Sequence, residues 1–209
     1  MNRLVAAASF AVTFGMYASS GSIDMNDPRR ALGREGDIRI DAQLITDTVS
    51  LGAPIGVTWQ IQNFTESPVA VAPRAVDVSY DADSRTITVA IGSEVPDEGK
   101  MPLMTVVGPG EKKVFRSAAM MAMSAGAMRA TVSTAPRLVQ VKVSILRDLE
   151  PFVAMIRKQT ATAPPETLSD DLFEQWFEST DTIFLNTLPV QWSGRTQKGV
   201  DAESRGGRF

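Results

Sequence analysis

Three groups of residues carry enough chemical character to act. Asp77, Asp81 and Asp83, with Ser79 and Ser84 beside them, place hard oxygen donors close together in the chain. Ca²⁺ takes such ligands, but the twelve-residue calcium loop with its closing Glu is missing. Asp and Ser are also standard turn residues, so the cluster is expected to close a turn. Glu94, Asp97 and Glu98, with Lys100, form a second acidic group, expected to be a solvated loop. Met120, Met121, Met123 and Met128 lie in one run, with Met101 and Met104 upstream. Thioethers are soft ligands of the kind Cu(I) accepts. The same side chains equally fill irregular apolar space or make an adaptable contact surface.

Composition removes most other chemistry. The 209 residues include no His and no Cys. A Ser-His-Asp triad, a histidine base, an imidazole metal ligand, a disulfide and a Cys/His zinc site are therefore all impossible. No Ser-x-x-Lys or Gly-x-Ser-x-Gly pattern marks a serine nucleophile. Paired carboxylates would remain for glycoside chemistry, but these must face each other across a cleft. Asp170 and Asp171 are adjacent and follow Ser169, which reads as a helix start with negative charge at the dipole. A non-enzymatic protein without a cofactor, catalytic residue or committed metal site is the expectation. The 21 Lys+Arg against 24 Asp+Glu leave a net charge of −3, with no overall basic balance for nucleic acid.

The elements that would position these residues are mostly strands. Ile38 and Ile40 alternate with Arg39 and Asp41. Ile55, Val57, Trp59 and Ile61 alternate with Gly56, Thr58, Gln60 and Gln62, giving one apolar face per strand. Val76, Val78 and Tyr80, then Thr86–Ile91, flank Asp81-Ala82-Asp83-Ser84 and predict a hairpin. Further strands are expected at Val69–Val71, at Leu103–Val107, at Lys112–Arg116, along Val139–Ile145 and over Thr182–Trp192. Ala118–Ala130 reads as a short helix or a loose loop. Leu149, Phe152, Val153 and Ile156 fall at helical spacing, as do Leu172, Phe173, Trp176 and Phe177. Pro151 fits the first turn of the earlier helix, and Asp148 can cap it.

About eight short strands with turns between them predict a β-sandwich. The strand Pro54–Thr65, closed by Ser67-Pro68-Val69, resembles the second strand and turn of bacterial exported immunoglobulin-like domains. Gly108-Pro109-Gly110-Glu111 before Val114-Phe115 is similar to the turn that leads into a strand in the same group. The resemblance spans roughly residues 37–147, with the strand after 182 completing it. It implies a mainly β, immunoglobulin-like antiparallel β-sandwich used for binding or scaffolding, and it brings no catalytic residues. The Cys pair of antibody-type domains is absent. Periplasmic pilus chaperones share the strand-turn style, but the chain after Pro136 is too short and too helical for a second sandwich.

The expected organisation follows. Residues 1–20 form a signal peptide, with Arg3, an apolar run over Leu4–Ala18 and a small-residue exit. A flexible leader covers 21–36, the sandwich 37–192, and a disordered tail 193–209. A helical insertion at 148–180 precedes the last strand. The insertion is longer than a strand connection needs, which marks it as the candidate contact region. Phe152, Ile156, Phe173, Trp176 and Phe177 are its candidate partner-binding residues. The function expected is periplasmic or secreted recognition of a protein or envelope component. No nucleic acid and no transmembrane segment in the mature chain are expected. The alternative is a periplasmic small-ligand or Cu(I) carrier using the Met-rich segment 120–128.

Overall fold

The computed structural model describes residues 23–24, 26–27, 29–50, 52–120, 135–160, 162 and 164–193. The proposed signal peptide, Met121–Met128 and residues 194–209 lie outside the described residues. The described chain is mainly β, with antiparallel multi-strand sheets and two short helices.

The first sheet has four strands in the order β1 (Arg30–Glu35), β2 (Ile38–Leu44), β4 (Pro54–Asn63) and β9 (Lys112–Met120), all antiparallel. Period-two alternation decides its faces, because a half-buried strand turns every second side chain inward. Ile38, Ile40, Ala42 and Leu44 of β2 and Ile55, Val57, Trp59 and Ile61 of β4 are buried, as their alternation predicts. The Trp59 indole N–H donates to Ser117 Oγ at 2.9 Å, and the Ser117 hydroxyl donates to the Pro73 carbonyl at 2.5 Å. The polar atom of the largest core side chain is thus satisfied.

The second sheet is organised around β10 (Leu138–Leu146). Along one edge β10 pairs in parallel with β7 (Thr86–Ile91) and then, past Val143, antiparallel with β5 (Val69–Val71). Its other edge carries β12 (Leu188–Pro189) and β11 (Thr180–Phe184). β6 (Ala75–Asp81) adds to β7, and β8 (Thr105–Val107) adds to β5. A small parallel pair joins β3 (Thr48–Ser50) to β13 (Gln191–Ser193). Both large sheets contribute to one core cluster, in which Ile40, Val57, Trp59 and Ile61 meet Val71, Ile87, Val89, Val141, Val143 and Ile183.

The turns at residues 64–68 and 108–111 meet at Asn63. The Asn63 side-chain amide donates to the carbonyls of Ser67 (2.8 Å) and Val107 (3.1 Å), and its carbonyl oxygen accepts from Thr65. Its backbone N–H donates to Glu111 O, and its backbone carbonyl accepts from Gly110 N. Gly110 has φ +71°, which glycine adopts without steric cost. The Glu111 carboxylate closes the turn by accepting from Gly108 N at 2.7 Å.

Two expectations need correction. The proposed leader over 21–36 contains β1, which pairs with β2 through six positions. Its inward residues are Ala31 and Gly33, while Leu32 faces out. A Cβ at Gly33 would come within 2.8 Å of the Ile183 side chain. Small residues are required where β11 crosses, so the apolar signature of a strand is missing. The single strand expected over Thr182–Trp192 is three short ones. The break falls after Phe184, and Pro189 sits on the outer edge of β12.

Candidate binding groove

The second sheet is buried on both faces at one end. Val69 and Val71 of β5 point into the shared core, whereas Ala70 points the other way. Ile145 and Leu146 of β10 divide in the same manner. On this outer face lie α1 (Val153–Lys158), entered by a 3₁₀ turn at Glu150–Phe152, and α2 (Asp170–Ser179). Asp148 Oδ1 accepts from Glu150 N at 3.0 Å, and Ser169 caps α2 by accepting from Leu172 N. Asp170 and Asp171 follow in its first turn, as the sequence predicts.

The second core contains Ala70, Met101, Leu146, Leu149, Phe152, Leu168 and Trp176. The Phe152 and Trp176 rings meet edge to face at 5.6 Å. Phe152 is fully buried and Trp176 is 1% exposed, so neither presents a surface to a partner. Burying them is what seats the helices on the sheet. Ile156 and Phe173 are half-buried against the same cluster, and only Phe177, at 46%, is exposed. The five residues expected to form one contact patch therefore divide between an interior and a rim.

The helices nevertheless build a concavity, with other residues. A groove of about 1080 Å³ lies between the 93–103 loop, the start of β6, the end of α1 and the 164–166 segment. Its walls are tied together. Lys100 and Thr167 form an antiparallel bridge, flanked by Met101 N to Glu166 O (2.9 Å) and Leu168 N to Gly99 O (2.8 Å). The Gln159 amide accepts from Met104 N at 2.9 Å and donates to Pro102 O at 2.8 Å. From beneath, the Trp176 indole N–H donates to Ser93 O at 3.2 Å, and buried Met101 anchors the loop.

Val76, Val95 and Leu103, each about half exposed, line this groove together. Val76 reaches it because the β6–β7 register slips between Ala75 and Asp77, turning Val76 out of the strict alternation. Pro73, Pro96, Pro102, Pro164 and Met155 add apolar wall. The charged lining balances, with Arg74, Lys100 and Lys158 against Asp97, Glu98 and Glu166. Lys100 and Glu98 pair directly, which holds the Glu98 carboxyl below its ordinary range and raises the Lys100 ammonium. Val95 was legible only as a lone apolar residue in an acidic loop, and Leu103, expected to begin a strand, lies before β8, which starts at Thr105.

The other sequence candidates resolve as turn and surface chemistry. Asp81 accepts from Asp83 N at 3.0 Å and from Ser84 Oγ at 2.6 Å. These bonds, led by the Ser84 hydroxyl, hold its carboxyl below the ordinary value. Glu94 pairs with Lys142 at 3.0 Å. Its carboxyl is lowered first by a hydrogen bond from Thr182 and then by Lys142. Among the described residues no group of three or more carboxylates is placed to hold a metal ion. Of the Met-rich segment only Met120 is described, exposed at the end of β9. No described helix is long and apolar enough to cross a membrane. Comparison with protein-family models, with curated proteins and with solved structures finds no match.

Proposed function

We propose that this chain is an exported, non-enzymatic binding module with an immunoglobulin-like β-sandwich. Its groove takes an extended, apolar segment of a partner protein. The observation that carries the reading is the convergence of Val76, Val95 and Leu103 on one concavity. Scattered single apolar residues on a surface need no explanation, whereas apolar side chains clustered in a recess favour contact. Three cations and three carboxylates around the lining leave nothing to select a charged small ligand. Val, Pro and Met walls suit apolar side chains of a peptide, and Met adapts to irregular shapes. Export is supported by Arg3, the apolar run after it and the small residues at 18–22.

The test is site-specific photo-crosslinking in the native host. A photoreactive residue at Val95 or Leu103 is expected to trap one discrete protein. The same residue at Phe184, exposed on β11, serves as the control. Val76→Asp together with Leu103→Asp should abolish the trapped species while leaving the fold intact. Equal crosslinking from Phe184, or a crosslink that survives the double substitution, would sink the groove reading.

A further inference from the structure

The outward face of the first sheet has a composition unlike the rest of the chain. Register and alternation place its outward residues in three rows across β1, β2, β4 and β9. One row is Arg34, Arg39, Gln62 and Lys112. The middle row is Leu32, Asp41, Gln60 and Val114. The third is Arg30, Gln43, Thr58 and Arg116. At these twelve positions five cations stand against one carboxylate, in a chain whose net charge is −3. Beside the grid, Asp37 pairs with Arg34 at 3.6 Å and Asp27 accepts from Gln43, so the surplus is carried chiefly by Arg30, Arg39, Lys112 and Arg116. With strands about 4.8 Å apart and a rise of about 3.3 Å per residue, the grid is roughly 14 Å by 13 Å.

The carboxylate within the grid organises the two arginines beside it. Asp41 is 1% exposed and accepts from Arg39 Nε (3.0 Å) and Nη2 (3.1 Å), and from the Gln60 amide at 3.0 Å. Arg30 Nε lies 3.5 Å from its other side. Both guanidinium groups remain partly exposed, so they are fixed flat on the sheet with N–H groups still facing solvent. Lys112 and Arg116 are exposed and have no ion-pair partner among the described residues. The amide of Gln62 and the hydroxyl of Thr58 lie between the two cationic margins, whereas the Gln43 amide beside them donates to Asp27.

We propose that this face binds an acidic polysaccharide. The guanidinium and ammonium groups would pair with sugar carboxylates, and the Gln62 amide and Thr58 hydroxyl would bond sugar hydroxyls. Guanidinium–carboxylate pairs are bidentate and planar, which suits side chains held flat on a sheet. Cationic edge strands on either side of a hydrogen-bonding centre suit a polymer that carries both carboxylates and hydroxyls. No aromatic side chain lies at the outward positions of these rows, so the base stacking that holds single-stranded nucleic acid is missing. The apolar Leu32 and Val114 stand singly on the opposite edge strands β1 and β9, a grid's width apart, so they form no contiguous apolar patch for a bilayer to bury.

The experiment is a titration of the full chain with an oligogalacturonate, a polymer of uronic acids. Anionic phospholipid vesicles and a single-stranded oligonucleotide are titrated in parallel. Saturable binding to the uronate that falls with added salt is expected, and Lys112→Glu with Arg116→Glu should weaken it roughly tenfold or more. Gln62→Ala should weaken the uronate arm and leave any residual vesicle binding unchanged. Arg74→Glu, in the groove, should leave uronate binding intact, which separates this inference from the groove reading. Tighter binding to vesicles or to the oligonucleotide would overturn it. So would uronate affinity unmoved by the double charge reversal in a variant that keeps its circular-dichroism spectrum and melting temperature.

Discussion

The two sheets bury one face each in the shared core and differ in what they do with the other. The second sheet turns Ala70 and Leu146 outward, and two helices cover them with Phe152, Trp176 and Met101. The first sheet turns Arg30, Arg39, Asp41, Gln60 and Arg116 outward, and no described helix covers them. Small or aliphatic outward residues demand a lid, because exposed apolar area must leave water. Charged outward residues forbid one, because a lid would strip their solvation. A single alternating pattern therefore produces a closed face and an open face, according to the chemistry of every second residue.

The sharpest way to break this contrast is to remove the lid's anchor. Trp176→Ala takes the ring from Phe152 and the indole N–H from Ser93. A loss of about 3–5 kcal/mol is expected from chemical denaturation. A loss under about 1 kcal/mol would mean that the helices are an ornament on the sheet rather than its cover. On the open face the equivalent substitution is Asp41→Ala, which leaves Arg30, Arg39 and Gln60 without their shared acceptor. Full burial of the cations would make this severe, but both arginines reach solvent. The expected loss is about 1–2 kcal/mol by the same measurement.

Smaller effects sharpen the boundary between the two regions. Phe177→Ser removes the exposed half of an edge-to-face pair with Phe173, whose centroids lie 5.1 Å apart. About 0.5–1.5 kcal/mol should be lost, visible as a small shift in melting temperature. The smallest effect concerns pH. The Glu94 carboxyl is lowered by Thr182 and Lys142. Its contribution to stability is present above its unfolded value near 4.5 and is lost as pH falls through the lower folded value. Glu94→Gln should therefore flatten the decline in melting temperature below pH 4.5. An unchanged acid slope would place the pairing outside the stability of the fold.

The strands with large apolar residues on one side were legible in the sequence. Ile55–Ile61 needs only its own alternation, and Ser169 before Asp170 needs only capping chemistry. The turn at Asn63 was legible because Asn and Pro punctuate turns for local reasons. What escaped was set by partners distant in the chain. β1 carries Ala31 and Gly33 inward because Ile183 and Leu185 already fill that space. The groove escaped for the same reason, since Val76, Val95 and Leu103 belong to separate segments. The aromatic residues of 149–177 announced an apolar stripe, but not that Ala70 and Leu146 would be waiting beneath it. The basic grid was hidden by an overall acidic composition, which averages over faces.

The position of β10 has a consequence for the order of synthesis. The first sheet is complete once Met120 has been made, and each of its strands pairs with neighbours already present. The second sheet is not, because its central strand comes only at Leu138–Leu146, long after Thr86–Ile91 and Val69–Val71 have emerged. Until then β7 and β5 offer unpaired edges rich in Val and Ile, the segments most prone to associate between chains. Parallel pairing of β7 with β10 also closes slowly, since distant partners must meet. A nascent chain stalled between Met120 and Leu138 would therefore be the species most in need of a holding chaperone.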